Sequence, residues 1–189
     1  MTRTATDPIT LDTGARRALT ASSRRIRFSQ PIASDGADIY RLVRDGGTLE
    51  LNSAYAYLLA GAHFGGTSVI ARDGASLCGF VWAYLVPQRQ DTLFVWQIGV
   101  AENSRGTGLG YTLLQEALSH PACRRVTHLE ATVTPSNEAS MALFRGFGRR
   151  LDAPVATSTA FGTDLFPDPS HEAEMLVRIG PFEPNFPPR

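Results

Sequence analysis

Residues 95–118, VWQIGVAENSRGTGLGYTLLQEAL, put an apolar strand, a glycine-rich turn and an amphipathic helix in immediate succession. The turn contains Arg105, Gly106, Thr107, Gly108, Leu109 and Gly110, an R-x-x-G-x-G pattern. Leu109, Leu113, Leu114 and Leu118 form one apolar stripe on the helix. Such a unit needs a sheet for its strand and a helical layer against that sheet, so the chain is expected to be α/β. Glycines without Cβ atoms let backbone approach a ligand closely. The first helical turn adds unpaired N–H groups and a positive dipole end. Together these suit a pyrophosphate, although an ordinary Gly-rich strand–helix turn would carry the same letters.

Two common phosphate loops are excluded by the residues themselves. The P-loop requires G-x-x-x-x-G-K-[ST], but all 18 basic residues are arginine and the chain has no lysine. The dinucleotide fingerprint G-x-G-x-x-G, begun at Gly106 or Gly108, meets Tyr111 or Leu113 where a small residue belongs.

At 189 residues the chain is expected to form one domain with tails, and an apolar share of 43% is enough for a full core. No run approaches the ~18 apolar residues of a membrane helix, so no membrane association is expected. The N-terminus lacks an apolar signal-peptide core, which points to the cytoplasm. Cys78 and Cys123 are too few for a disulfide framework or a zinc site, and no metal is expected. Formal charge is zero but unevenly placed: residues 1–27 hold six arginines against Asp7 and Asp12, leaving a mildly acidic body. That body argues against nucleic acid as a partner and suits a cationic small molecule.

Composition marks residues 1–25 as a disordered basic tail and 183–189 as a proline-rich tail around a single domain at 26–182. Within it a short strand at 26–30 precedes helices at about 35–45 and 53–60. Strands follow at 67–72, 77–86 and 92–100, with Asp73-Gly74 as a hairpin turn. The glycine turn and its helix lead to a strand at 126–133. Thr134-Pro135-Ser136-Asn137 stops that strand and caps a helix at about 137–147. The last core strand is expected at 173–179, after a long irregular stretch.

Strand, R-x-x-G-x-G and helix, then a strand and Asn137 opening a second helix, resemble the GNAT superfamily of N-acetyltransferases. The strings ELNSAYAYLLAGAHFGGTSVIA, GFVWAYLVP, LFVWQIGV, HLEATVTPSNEASMALFRGFGRRL and DLFPDPSHEAEMLVRIGPF are similar to the L-2,4-diaminobutyrate acetyltransferases of ectoine biosynthesis, over about residues 26–182. The resemblance implies a mixed, mostly antiparallel sheet of about six to seven strands flanked by about four helices. It implies acetyl transfer from acetyl-CoA to the 4-amino group of L-2,4-diaminobutyrate, and a homodimer. A GNAT enzyme for another small diamine or amino acid, or a non-catalytic acyl-CoA-binding module, are the competing readings.

On this resemblance Arg105 and the backbone of Gly106, Thr107, Gly108, Leu109 and Gly110 hold the pyrophosphate. Ile98 to Val100 pair with the pantetheine arm, with Gly99 consistent with a bulge, and Asn137 contacts the arm or its thiol. Acetylation also needs a carboxylate beside the amine. Glu130 lies in HLEATV on one face with His128 and Thr132, and reads as amine anchor and general base or as a structural partner for an arginine. Glu50, Asn52 and Tyr55 lie on the segment entering the second helix and are assigned to the acceptor, with Tyr55 also a core candidate. Trp96 and Gln97 face opposite ways by alternation, Trp96 as a pocket wall. His171 is placed in the substrate site as proton acceptor or carboxylate contact. Where many GNAT enzymes carry a tyrosine acid for the leaving thiolate, this chain has Phe144, which donates no proton; solvent, a water or Tyr55 would have to serve.

Overall fold

A computed structural model describes residues 25–184 and residue 186. Eleven main elements follow one another: β1 (Ile26–Ser29), α1 (Gly36–Gly46), α2 (Ala54–His63), β2 (Val69–Asp73), β3 (Ser76–Val86), β4 (Arg89–Val100), α3 (Leu109–Leu118), β5 (His128–Val133), α4 (Glu138–Arg150), β6 (Val155–Phe161) and β7 (Glu174–Ile179). The strands form one seven-stranded sheet in the order β1-β2-β3-β4-β5-β7-β6. Every neighbouring pair is antiparallel except β4 and β5. The expected mixed sheet with four helices is therefore present.

Helices cover the sheet on both sides. The leucine stripe of α3 and Phe144 and Phe147 of α4 pack on Val81, Leu93, Val95, Leu129, Ala131, Val177 and Ile179. On the other face Ile39 and Val43 of α1 and Tyr57 and Ala60 of α2 pack on Ile70, Phe80 and Trp82. Helix α1 ends at Gly47, whose left-handed φ of 60° lets its N–H reach the Val43 carbonyl. Arg72 of β2 fixes the other end, donating to Asp35 and Asp38 at 2.8 and 2.7 Å. Helix α2 is capped by Ser53, which accepts from the Ala56 N–H.

Strand β6 falls in the stretch read as irregular. It is an edge strand, and its VATSTAF sequence is mostly exposed with its polar residues grouped in the middle, so it lacks the alternation that marks a half-buried strand. The expected basic tail lies outside the described residues save Arg25. Of the expected proline-rich tail, Phe186 packs against the core and stands edge-on to Phe182, with ring centroids 5.9 Å apart.

Candidate active site

The site follows from an interruption in the sheet. Parallel strands β4 and β5 pair only from Thr92 and His128 to Val95 and Ala131. Beyond that point they part. The gap is a wedge lined by Ile98, Val133, Asn137, Ser140 and Phe144 among others. It adjoins a cleft of about 600 Å³ that shares Leu49, Trp96, Gln97, Thr132, Val133 and Asn137 with it. Parted strands leave backbone N–H and C=O groups for an extended ligand to pair with.

The glycine turn lies at the C-terminal end of β4. Gly106 and Gly108 both take left-handed φ values, 73° and 83°, and a Cβ on either would meet nothing within 4 Å. The glycines are thus required by backbone conformation and leave the loop open in front, as an anion cradle needs. Thr107 donates its hydroxyl to the Ser104 carbonyl at 2.7 Å and holds the turn's shape. Leu109 is buried in the core, and Gly110 packs α3 against Leu143 of α4. Arg105 lies along the exposed rim, its Nε 3.3 Å from the Val100 carbonyl.

The bulge in β4 is at Trp96 and not at Gly99. Trp82 pairs with Gln97 and Ala83 with Val95, so Trp96 is the extra residue. One inserted residue cancels the alternation. Trp96 and Gln97 accordingly face the same cleft, where simple alternation expected opposite faces. Trp96 stacks on buried Trp82 at 4.5 Å and stays half-exposed as a wall.

The cleft wall at Glu50 and Asn52 is organised by Tyr57. Its hydroxyl donates to Gln97 Oε1 at 3.1 Å and receives the Asn52 N–H. Gln97 Nε2 in turn donates to the Glu50 carbonyl at 2.6 Å. Both ends of the Gln97 amide are thus committed to positioning the Glu50–Asn52 segment on the cleft wall. Tyr55, the tyrosine singled out from the sequence, is 67% exposed and does not line the cleft. Ser53 caps the helix and sets its phase, which turns position 57 inward and position 55 outward.

Glu130 also departs from its expected surroundings. It is buried, but Arg89 Nη1 and Nη2 reach its two oxygens at 2.7 and 2.8 Å, and Arg178 binds it from β7. The hydrogen bonds from these guanidiniums hold its carboxyl below the usual glutamate range. A carboxylate so stabilised is a poor proton acceptor, and it does not line the cleft. The arginine-partner alternative describes it.

The carboxylate that does line the cleft with Glu50 is Glu174, at the start of β7, which the sequence reading passed over. Burial pushes its carboxyl above the ordinary value and Glu50 and Glu172 add like charge, while Thr132 and His171 act in the opposite direction. His171 lies on the same wall, its ring stacked 3.8 Å from that of Phe166. Its Nδ1 lies 2.6 Å from the Glu172 carbonyl. A carbonyl only accepts, so Nδ1 is the nitrogen that carries a hydrogen and donates here. Glu172 receives the Ser136 N–H at 3.1 Å and the Ser136 hydroxyl, tying this segment to the loop before α4. Asn137 caps α4, accepting the Ser140 N–H at 3.1 Å, and lines both cavities. A signal for Glu174 existed: it stands three residues after His171 in HEAE, before an apolar strand.

The model of the acetyltransferase (GNAT) family matches residues 37–148. The L-2,4-diaminobutyric acid acetyltransferase of Marinococcus halophilus is 47% identical over 157 residues, 83% of this chain and 91% of that protein. The chain belongs to the GNAT family, among the L-2,4-diaminobutyric acid acetyltransferases. The enzyme of that name from Halalkalibacterium halodurans is 45% identical over 84% of each chain. Among solved structures, the diaminobutyrate acetyltransferase EctA from Paenibacillus lautus, in complex with its substrate L-2,4-diaminobutyric acid and coenzyme A, superposes with a TM-score of 0.81. It is 39% identical, covering 84% of this chain and 96% of that one. The ribosomal-protein-S18-alanine N-acetyltransferase from Escherichia coli shares the fold, with a TM-score of 0.62 at 15% identity over 83% of this chain and 94% of that one.

Proposed function

We propose that this N-acetyltransferase moves the acetyl group of acetyl-CoA to the 4-amino group of L-2,4-diaminobutyrate, giving N4-acetyl-L-2,4-diaminobutyrate, the precursor of the osmolyte ectoine. One observation carries the reading. Glu50, Glu174 and His171 meet in a cleft that opens onto the wedge between β4 and β5. A diamine is a dication near neutral pH, since alkylamines titrate near ~10.4, and this wall is acidic. The likeness to enzymes of that name and to a relative solved with that substrate supports the same acceptor.

The donor side fits acetyl-CoA through backbone. Gly106 and Gly108 turn N–H groups towards a pyrophosphate, and the parted strands accept the pantetheine arm at Ile98–Val100. Asn137 contacts the arm where the cavities meet, with Phe144 as an apolar floor. On the acceptor side Glu50 holds one ammonium group and Glu174 receives a proton from the other. A carboxylate with a raised proton affinity suits a general base better than Glu130, held low by two guanidiniums. His171 lies on the same wall, with its Nδ1 committed to the Glu172 carbonyl.

We further propose a homodimer. Tyr55 and Leu58 of α2, with Leu51 in the segment before it, are exposed large apolar side chains, 67, 41 and 41% exposed, which suits a second copy. No helix among the described residues is long and apolar enough to cross a membrane, and use of acetyl-CoA favours a cytoplasmic setting.

The test is CoA release with 2,4-diaminobutyrate, ornithine and lysine. The four-carbon diamine should show the highest kcat/KM. Equal values for all three would overturn the acceptor assignment. Intact acetyl-CoA binding without turnover of any amine would indicate a binding module.

A further inference from the structure

We infer that the hydroxyl of Ser140 is the hydrogen-bond donor that receives the sulfur of CoA as it departs. The inference rests on the acetyl-transfer reading above and concerns a different atom, the leaving group. Ser140 and Phe144 stand four residues apart on α4 and both line the wedge. Phe144 has no donor to offer. Ser140 does, and its hydroxyl makes no hydrogen bond among the described residues, although its backbone N–H is taken by Asn137 Oδ1.

That freedom is unusual for a helical hydroxyl, which ordinarily bonds back to the carbonyl three or four residues earlier. Thr112 does so to the Gly108 carbonyl at 3.3 Å, and Ser119 to the Glu116 carbonyl at 2.8 Å. Ser140 makes neither bond, and it lines the wedge with its hydroxyl left without an internal partner among the described residues.

The step balances as follows. Starting from the ammonium, nitrogen gives one proton to Glu174, attacks the thioester carbonyl carbon and forms the N–C bond. The C–S bond breaks and its electron pair goes to sulfur, which gains the hydrogen bond from Ser140 Oγ. Nitrogen loses its second proton to water, and water returns one proton to sulfur. Ser140 keeps its own proton throughout, because a serine hydroxyl is too weak an acid to surrender it. Its contribution is preorganised stabilisation of charge developing on sulfur.

Ser140→Ala removes the hydroxyl while keeping the backbone N–H that Asn137 accepts, so α4 stays capped. A hydrogen bond to a charged group corresponds to a change of about tenfold or more. Turnover should fall about tenfold with KM for the amine unchanged, and Ser140→Thr should retain most of the rate. Binding separates this role from a structural one. At pH 9.5, where thiols are largely ionised, Ser140→Ala should bind CoA about tenfold more weakly yet bind desulfo-CoA as the wild type does. Equal losses for both ligands, or an unchanged kcat, would overturn the inference. Wild-type turnover of diaminobutyrate tests the underlying reading separately, and the Ser140 comparison can be run with whichever amine the wild type acetylates.

Discussion

Glu130 and Glu174 project from the same face of the sheet on neighbouring strands, yet their surroundings drive them in opposite directions. Glu130 lies opposite Arg178 in the β5–β7 register and is closed in by Arg89 from the start of β4. Glu174 lies four residues before Arg178, beside the point where β4 has left β5, with a hydroxyl, an imidazole and other carboxylates as neighbours. The first carboxyl is stabilised as an anion. The second is made reluctant to ionise. The same residue type on one sheet face is therefore clamped as an anion where cations converge and held reluctant to ionise where the sheet opens.

The sharpest test of this contrast is activity. Glu174→Gln should lower kcat by about 100-fold or more, the usual scale for a lost general base, while acetyl-CoA binding is unchanged. In the wild type the acidic limb of the kcat/KM profile should lie above the ordinary glutamate value of ~4.3, because the raised carboxyl must be ionised to accept a proton. If Glu174→Gln keeps near-normal turnover and Glu130→Gln does not, the roles are exchanged.

Stability should separate the two with the opposite ranking. Glu130→Gln leaves Arg89 and Arg178 facing a neutral amide and should destabilise the fold by about 2 kcal/mol in thermal or denaturant unfolding, with turnover of the folded protein within a few-fold of normal. Glu174→Gln should be neutral or stabilising at pH 7. The signs follow from linkage. A carboxyl lowered by folding contributes stability above its unfolded value of ~4.3, and that contribution is lost as pH falls through the lower folded value. A carboxyl raised by folding contributes stability only while protonated, and loses it as pH rises through the raised value. Acidification from pH 7 towards ~4.3 should therefore shrink the advantage of Glu174→Gln over wild type, while the deficit of Glu130→Gln persists until lower pH. Parallel behaviour of the two variants would remove the distinction.

The donor side was legible because its device is local. A strand, two glycines at positive φ and a helix start are written in consecutive letters, and no distant residue is needed to form them. The acceptor side was legible only in part. Glu130 and Glu174 look alike in sequence, both being single carboxylates in apolar strands. What distinguishes them is Arg89 and Arg178 arriving from other strands, and the parting of β4 from β5. Trp96 and Gln97, expected at the site, both line the cleft, but their shared direction depends on a bulge that alternation does not encode. His171 and Asn137 were reached through resemblance. Strand β6 was missed because a polar edge strand carries little periodic signal.

The smallest expected effect concerns the two tyrosines of α2, which the same local sequence presents in opposite directions. Tyr57→Phe removes the hydroxyl that joins Gln97 Oε1 to the Asn52 N–H. The phenyl ring still fills its place against Tyr40 and Trp82, so the loss is the two hydrogen bonds of one hydroxyl, about 1–2 kcal/mol of stability. Its functional signature should be specific. With Gln97 freed, the Glu50–Asn52 segment loses the restraint that holds it on the cleft wall, so KM for the amine should rise several-fold while acetyl-CoA affinity is unchanged. Tyr55→Phe keeps the apolar ring and removes only a hydroxyl that does not line the cleft, so stability and kinetics should stay as they are. Equal effects of the two substitutions, or a change in acetyl-CoA affinity with Tyr57→Phe, would mean that the Tyr57–Gln97 link does not organise the acceptor wall. A selective rise in the amine KM would place Tyr57 among the residues that position Glu50, one layer behind the contrast between Glu130 and Glu174.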